Sequence, residues 1–371
     1  MTPQPASQLR FFDFLRGWAA LLVFLHHAAL LGNGPALLSD GRVGEQAVNA
    51  FMFASGFLIY YQSAINASYG GFASMGGTCN FYIRRFFRIA PVYYVALALA
   101  FMAGTQLGEA RQAIAAFAPQ TRTDLSRYFM ADPLGNALMH VSFLFGLFPR
   151  FAFSTPLPDW SLGLEMQFYL VFPVIFLALR KRFLPMMFVL LLTALAVRLG
   201  LKLEGIAYPM PSFLPLKFHN FAAGMAIAYL HLNPTVRRWP LLALILSSVG
   251  VGERSLWMPA IVLICHSLLH QPESGHARLD ALFGHWTSRW LADLSYSVYI
   301  LHLLVVLPVF AWAVPFTSVS MTDWWAVSLA TLGVVLILSW AVMHWVEAPG
   351  IQIGKRLLRR PSLPQAIRLA K

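Results

Sequence analysis

Charge is what this chain has least of. Only 11% of its 371 residues are charged and 58% are hydrophobic, whereas about a quarter of an ordinary soluble domain is charged. A soluble fold cannot solvate its surface with so few charges, and that class is excluded. Acidic residues are the scarcer sign, 15 Asp and Glu against 27 Lys and Arg, for a formal charge of +12. Cysteine is nearly absent. Cys79 and Cys265 stand far apart, which excludes a disulfide framework or a thiolate metal site. HExxH, the P-loop, GxGxxG and the GxSxG elbow are all missing, so a zinc protease, a nucleotide-binding fold and a soluble serine hydrolase are unsupported. No metal is expected. No cleavable signal peptide is expected either, because Arg16 leads into a long apolar run holding His26 and His27 without a small-residue cleavage site.

What the chain does have is apolar runs, near 11–31, 47–65, 87–106, 137–149, 159–179, 183–201, 214–232, 239–252, 256–270, 290–312 and 323–346. Most approach the ~20 residues that cross a bilayer as a helix. Basic residues gather at their ends: Arg84, Arg85 and Arg88; Arg180, Lys181 and Arg182; Arg237 and Arg238; Lys355, Arg356, Arg359 and Arg360. That distribution marks cytoplasmic loops rather than a nucleic-acid surface, and no nucleic-acid partner is expected.

An inside N-terminus keeps every basic cluster inside only if 137–149 does not cross. That segment, at 13 residues, suits a re-entrant or interfacial element. The expected fold is all-α, a polytopic membrane protein of about ten transmembrane helices with both termini cytoplasmic. The run 239–252 is the weakest span. Residues 66–80, rich in Gly and Ser, read as a flexible inner loop and 149–158, with three prolines, as an extended connector. The basic segment 351–371 reads as a cytoplasmic tail drawn to anionic lipid.

Ionisable residues inside apolar spans are costly and mark functional sites by default. Arg16 and His27 lie eleven residues apart, on one helix face and about 16 Å apart along the axis. Asp13 precedes Arg16 by one turn, an ion-pair spacing. His27 has the chemistry of a general base. In the span after the connector, Ser161, Glu165, Phe168 and Tyr169 share a face. A ten-span topology sets Glu165 at the depth of His27, where a carboxylate orients an imidazole. Arg85 and Arg88, one turn apart at the inner end of a span, suit a phosphorylated cytosolic ligand. Ser55 and Gly56 put a small pair mid-membrane where helices approach closely. Trp160, Ser295, Tyr299 and His302 add polar groups to two more spans, Lys217 and His219 open another, and Glu347 with Pro349 closes the last.

Together these segments resemble the acyltransferase-3 family of membrane O-acyltransferases, over residues 9 to 350 and in the family's order. The resemblance rests on Asp13-x-x-Arg16-Gly with ten residues before His27, Ser55-Gly56-Phe57-Leu58-Ile59, and Arg85-x-x-Arg88-Ile89-x-Pro91. Trp160-Ser161-Leu162-x-x-Glu165, Ser295-Tyr296-x-x-Tyr299-x-x-His302 and Glu347-Ala348-Pro349 complete it. It implies a 1–350 transmembrane acyltransferase domain of the stand-alone kind, without a fused SGNH hydrolase, in a bacterial inner membrane. It also implies acyl transfer, usually acetyl, from acyl-coenzyme A to a hydroxyl of a surface polysaccharide, glycolipid or small molecule. Arg85, Arg88 and Arg16 would then hold the coenzyme, His27 would act as base with Glu165, Arg16 and Asp13 in support, and Ser55, Trp160, Ser161, Tyr169, Tyr299 and His302 would supply substrate or oxyanion contacts. The family often carries an acid six residues before the mid-membrane Ser-Gly. Asn49 stands there instead, leaving the role vacant or to Asp40 or Glu45. A secondary transporter or flippase with buried charges along its substrate path is the alternative, though no inverted repeat is visible.

Overall fold

The computed structural model describes residues 10–65, 72, 74–253, 255–269 and 283–358. Residues 66–71 and 73 of the Gly- and Ser-rich segment, and the basic tail beyond 358, lie outside the described residues, and 75–80 of that segment are helix rather than the expected loop. Among those described there is no strand. The long helices are α1 (Arg10–Leu31), α2 (Gly41–Ile65), α3 (Met75–Met102), α4 (Gly104–Phe117), α5 (Pro133–Val141), α6 (Trp160–Lys181), α7 (Phe183–Leu203), α8 (Leu214–Leu232), α9 (Arg238–Glu253), α10 (Trp257–Leu269), α11 (Trp286–Thr317), α12 (Met321–Val342) and α13 (Ala348–Arg356).

Six helices are long and apolar enough to cross a membrane by length and composition: α1, α3, α6, α7, α11, and α12 continued through α13. The chain is an integral membrane protein. Two further expected spans, α2 and α8, fall short on hydropathy for a structural reason. They are inner helices whose polar residues, Asn49 and Asn220 among them, face one another. In α8 nearly every side chain from Lys217 to Ala228 is buried. By contrast, α7 buries only Phe183, Met187 and Leu191, leaving an apolar surface for lipid. The short α9 and α10 pack on α8 and on each other.

The segment 137–149 contains the end of the nine-residue α5 and a 3-10 turn at Phe145–Leu147. Nine residues span about 14 Å, less than half a hydrocarbon core. The expected tail boundary at 350 falls within α13, which packs through Gly350 and Gly354 on Pro91 and Phe87 of α3. The helix therefore runs on past Glu347, through a π-helical turn at Met343–Glu347.

Helices α2 and α8 cross at glycines. A Cβ at Gly224 would lie 2.0 Å from the Phe53 carbonyl oxygen, and one at Gly56 would lie 2.2 Å from that of Phe221. Backbone cannot yield as a side-chain tip can, so Gly224→Ala is expected to destabilise the protein by about 1–3 kcal/mol. Gly250→Ala meets nothing within 4 Å and should match wild type or exceed it, since Ala is the better helix former. Thermal unfolding of both variants in detergent checks the contrast.

Candidate active site

Two cavities lie along α1, one on each side of a shared wall. The inner one, about 120 Å³, is lined by Arg16, Ser55, Arg85, Arg88, Glu165, Tyr169, Ser295 and Tyr296, with Ser161 and Tyr299 at its end. The outer one, about 480 Å³, is lined by His26, His27, Glu45, Arg111, Arg127 and Trp160, and Tyr299 again borders it. The wall is hydrogen-bonded. Ser161 Oγ donates to Tyr299 Oη at 2.8 Å, and Tyr299 Oη donates to the Pro158 carbonyl at 2.6 Å. The first turn of α6 thus presents Trp160 to one side and Ser161 to the other.

In the inner cavity Glu165 accepts from Ser55 Oγ at 3.0 Å and from the Tyr169 hydroxyl. Arg88 pairs with Glu347, which the π turn delivers to it, and Ser297 Oγ donates to the same carboxylate at 3.3 Å. Arg88 is therefore already matched by a buried carboxylate. Arg85 donates to Gln62 Oε1 at 3.2 Å and lies over the rings of Phe81 and Tyr169, 5.6 and 5.5 Å from their centroids. Its Nε is buried without a hydrogen-bond partner among the described residues. Arg16 makes no ion pair among them. Asp13, in electrostatic reach of Arg16, Arg289 and Asp293, makes no close pair with Arg16 and lines neither cavity.

His27 is packed against His302 of α11. His302 Nδ1 lies 2.8 Å from the Tyr299 carbonyl and 3.2 Å from that of Val298. Carbonyls only accept, so Nδ1 carries the proton and the neutral ring keeps a bare Nε2. That Nε2 is 3.1 Å from His27 Nδ1, which is also 3.0 Å from the Val23 carbonyl. His27 Nδ1 must therefore donate, which leaves His27 Nε2 unprotonated and without a partner among the described residues. Three helix carbonyls thus set the tautomers of both rings.

The expected contact between Glu165 and His27 does not form. The connector is not a surface strap. Thr155, Leu157 and Asp159 are buried, so α6 starts inside the protein and Glu165 lies about 9 Å further along its axis. Asp159 accepts from Tyr93 Oη at 3.0 Å and Thr155 Oγ1 at 2.9 Å, with His140 Nδ1 at 3.1 Å. That cluster seats α3, α5 and α6 together. Asp159 and His140 were invisible as a site because no spacing links them.

The carboxylate beside Asn49 comes from elsewhere in the chain. Asp40 is half-buried and paired with Arg42, whose hydrogen bonds hold its carboxyl down at about 2. Glu45 accepts from Lys217 Nζ at 2.7 Å. Glu253, at the end of α9, accepts from Asn49 Nδ2 at 2.7 Å, from Lys217 Nζ at 2.8 Å and from Asn220 Nδ2 at 2.8 Å. Residue 49 thus meets an acid on another helix, which no local pattern announces.

Arg111 and Arg127 were also missed, lying in a stretch of mixed charge without periodicity. Arg127 donates to the carbonyls of Thr155 (2.7 Å) and Leu157 (3.0 Å), and its guanidinium lies 3.5 Å from the Phe153 ring centroid. Arg111 Nη2 donates to the Thr121 carbonyl at 2.5 Å. Burial draws both guanidinium pKa values below the ordinary arginine range, yet such a group stays charged at any physiological pH.

The family model described as Acyltransferase domain, acyltransferase-3, matches residues 9–344. The chain belongs to the acyltransferase-3 family. No curated protein and no solved structure matches it. Both cavities lie within the matched region, and membership makes this chain a membrane acyltransferase.

Proposed function

We propose that this acyltransferase moves an acyl group, usually acetyl, from acyl-coenzyme A to a hydroxyl of a sugar or small molecule, with His27 as general base. We also propose ten spans, α1 to α3 and α6 to α12, with cytoplasmic termini in a bacterial inner membrane. The inner cavity then opens toward the cytoplasm and the outer one away from it. One observation carries the reading: a cavity holding three guanidiniums and a cavity holding an unprotonated imidazole nitrogen abut at Tyr299.

The inner cavity suits a slender thioester arm and is too small for a nucleotide. Arg85, with donors to spare, and Arg16 take the coenzyme phosphates bidentately. Arg88, fixed by Glu347, adds to the positive field. The thioester then meets the wall. The acceptor hydroxyl attacks its carbonyl carbon while His27 Nε2 takes the hydroxyl proton. The tetrahedral intermediate collapses to the ester, the C–S bond breaks, and the proton returns to the departing thiolate. Tyr299 and Ser161 are the hydroxyls nearest the developing oxyanion, and each would exchange its present acceptor for it. Trp160 bounds the acceptor side, while Ser55 and Tyr169 hold Glu165 on the donor side. His302 is a positioning residue.

Membranes bearing the protein should convert labelled acetyl-coenzyme A and a glycan acceptor into a base-labile labelled ester with release of free thiol. Solute uptake without any label transfer would favour the transporter reading. For the donor site, Arg85→Ala should raise the KM for acetyl-coenzyme A about tenfold or more with kcat little changed, as for a lost charge-assisted hydrogen bond. An unaltered KM removes Arg85 from that site.

A further inference from the structure

The outer cavity has two buried cations that the transfer chemistry leaves unused. We infer that Arg111 and Arg127 form an anion site, and that the acceptor carries a carboxylate or phosphate close to the hydroxyl that is acylated. Calling that ligand the acceptor rests on the acyltransfer reading; the anion site does not.

Arg111 is 8% exposed and Arg127 6%, and both line the cavity. Their partners are backbone carbonyls, which offer partial charge but no neutralisation. Arg111 Nη1 is buried with no hydrogen-bond partner among the described residues. Neither guanidinium makes an ion pair among those residues. Glu45 is engaged with Lys217 at 2.7 Å. Asp159, whose Oδ2 is engaged by Tyr93 and Thr155, acts on Arg127 from beyond ion-pair distance, and among the described residues no carboxylate acts on Arg111. Buried charges without a counterion are costly and are ordinarily paired. A cavity of about 480 Å³ lies within the usual size range of small-ligand sites, large enough for one sugar bearing an acid group.

The placement bears on the reaction. Arg127 is close enough to His27 for its charge to act on the ring. An anion seated between Arg111 and Arg127 would offset the repulsion between Arg127 and the imidazolium formed when His27 takes the hydroxyl proton. A charged acceptor would then be favoured at the chemical step as well as in binding.

The test uses purified full-length protein in a neutral detergent, with methyl glucuronide, glucose 6-phosphate and methyl glucoside as probes. The two anionic sugars should raise the unfolding temperature, and the neutral one should not. Arg111→Gln should weaken that response about tenfold or more, and Arg111→Lys should restore part of it. Equal stabilisation by the glucoside, or a full response in Arg111→Gln, overturns the anion site. Stabilisation by short-chain phosphatidylglycerol but not by either sugar assigns the site to a lipid headgroup and overturns the acceptor. Whichever anionic sugar binds more tightly tells carboxylate from phosphate.

Should Arg111→Gln fail to fold, inorganic phosphate competing against glucuronide on the wild-type protein serves instead, and lack of competition overturns the site. Thiol release from acetyl-coenzyme A on the same samples separates the two readings. Anion binding without thiol release upholds the site and removes acyl transfer. Thiol release equally fast with the glucoside upholds acyl transfer and removes the anion requirement.

Discussion

His27→Ala is expected to lower kcat for acyl transfer by about 10²–10⁴-fold, the usual worth of a positioned general base, while the KM for the acyl donor stays near its wild-type value. Loss of transfer with donor binding intact is the signature of a group that acts only at the chemical step. The expectation follows from the proton inventory. His302 Nδ1 must donate to the Tyr299 carbonyl at 2.8 Å, so His302 Nε2 can only accept, and His27 Nδ1 supplies the hydrogen across 3.1 Å. The one lone pair left in the pair is His27 Nε2, on the ring that lines the outer cavity.

His302→Ala leaves His27 with only the Val23 carbonyl to fix its ring, at 3.0 Å. It should lower kcat less than His27→Ala and move the pH–rate profile, because the base has lost a neighbour that sets its basicity and orientation. Exogenous imidazole should recover part of the activity of His27→Ala, since that substitution opens a ring-sized space on a cavity wall. If His27→Ala transfers label at the wild-type rate, another residue is the base and the mechanism proposed for this site is wrong.

Six spans were legible in the sequence because lipid imposes one simple demand, about 20 apolar residues per helix. Each of the ten expected segments corresponds to a helix, and six satisfy length and hydropathy unaided. The alignment of Arg16 and His27 was legible too, because an uninterrupted helix transmits register over eleven residues. Depth across helices was not. Glu165 was expected beside His27 on the assumption that α6 begins at the surface, whereas Asp159, anchored by Tyr93 and Thr155, starts that helix inside the protein. A buried start depends on contacts between α3, α5 and the connector, which no local pattern encodes. The same holds for Glu253 reaching Asn49 across 204 residues of sequence, and for Arg127, held by carbonyls 28 and 30 residues away. Register within a helix can be read from spacing, although the one-turn pair Asp13 and Arg16 shows that a contact need not follow. Contacts between helices need the packing.

The largest stability effect is expected at Lys217. Its ammonium donates to Glu45 at 2.7 Å and to both oxygens of Glu253, at 3.0 and 2.8 Å, with only 6% of its side chain exposed. The Glu253 carboxylate is more buried still, at 1%. It also faces Asn49, Asn220 and His219, the last at 2.5 Å. Removing one member of a buried pair strands the other charge, at a cost of about 3–5 kcal/mol. Lys217→Met should therefore lower the unfolding temperature in detergent and the amount of inserted protein sharply. Adding Glu253→Gln should recover much of the loss, because the stranded charge is then gone while the amide oxygen can still accept from one of the two asparagines. An additive double mutant would mean that the two groups do not interact, contrary to their geometry. Activity offers a second readout, since Glu45 lines the outer cavity. Released from Lys217, its carboxylate would add negative charge opposite Arg111 and Arg127. The Lys217→Met, Glu253→Gln double variant should therefore fold yet bind anionic sugars less tightly than wild type, which ties the stability of this ion cluster to the electrostatics of the acceptor side.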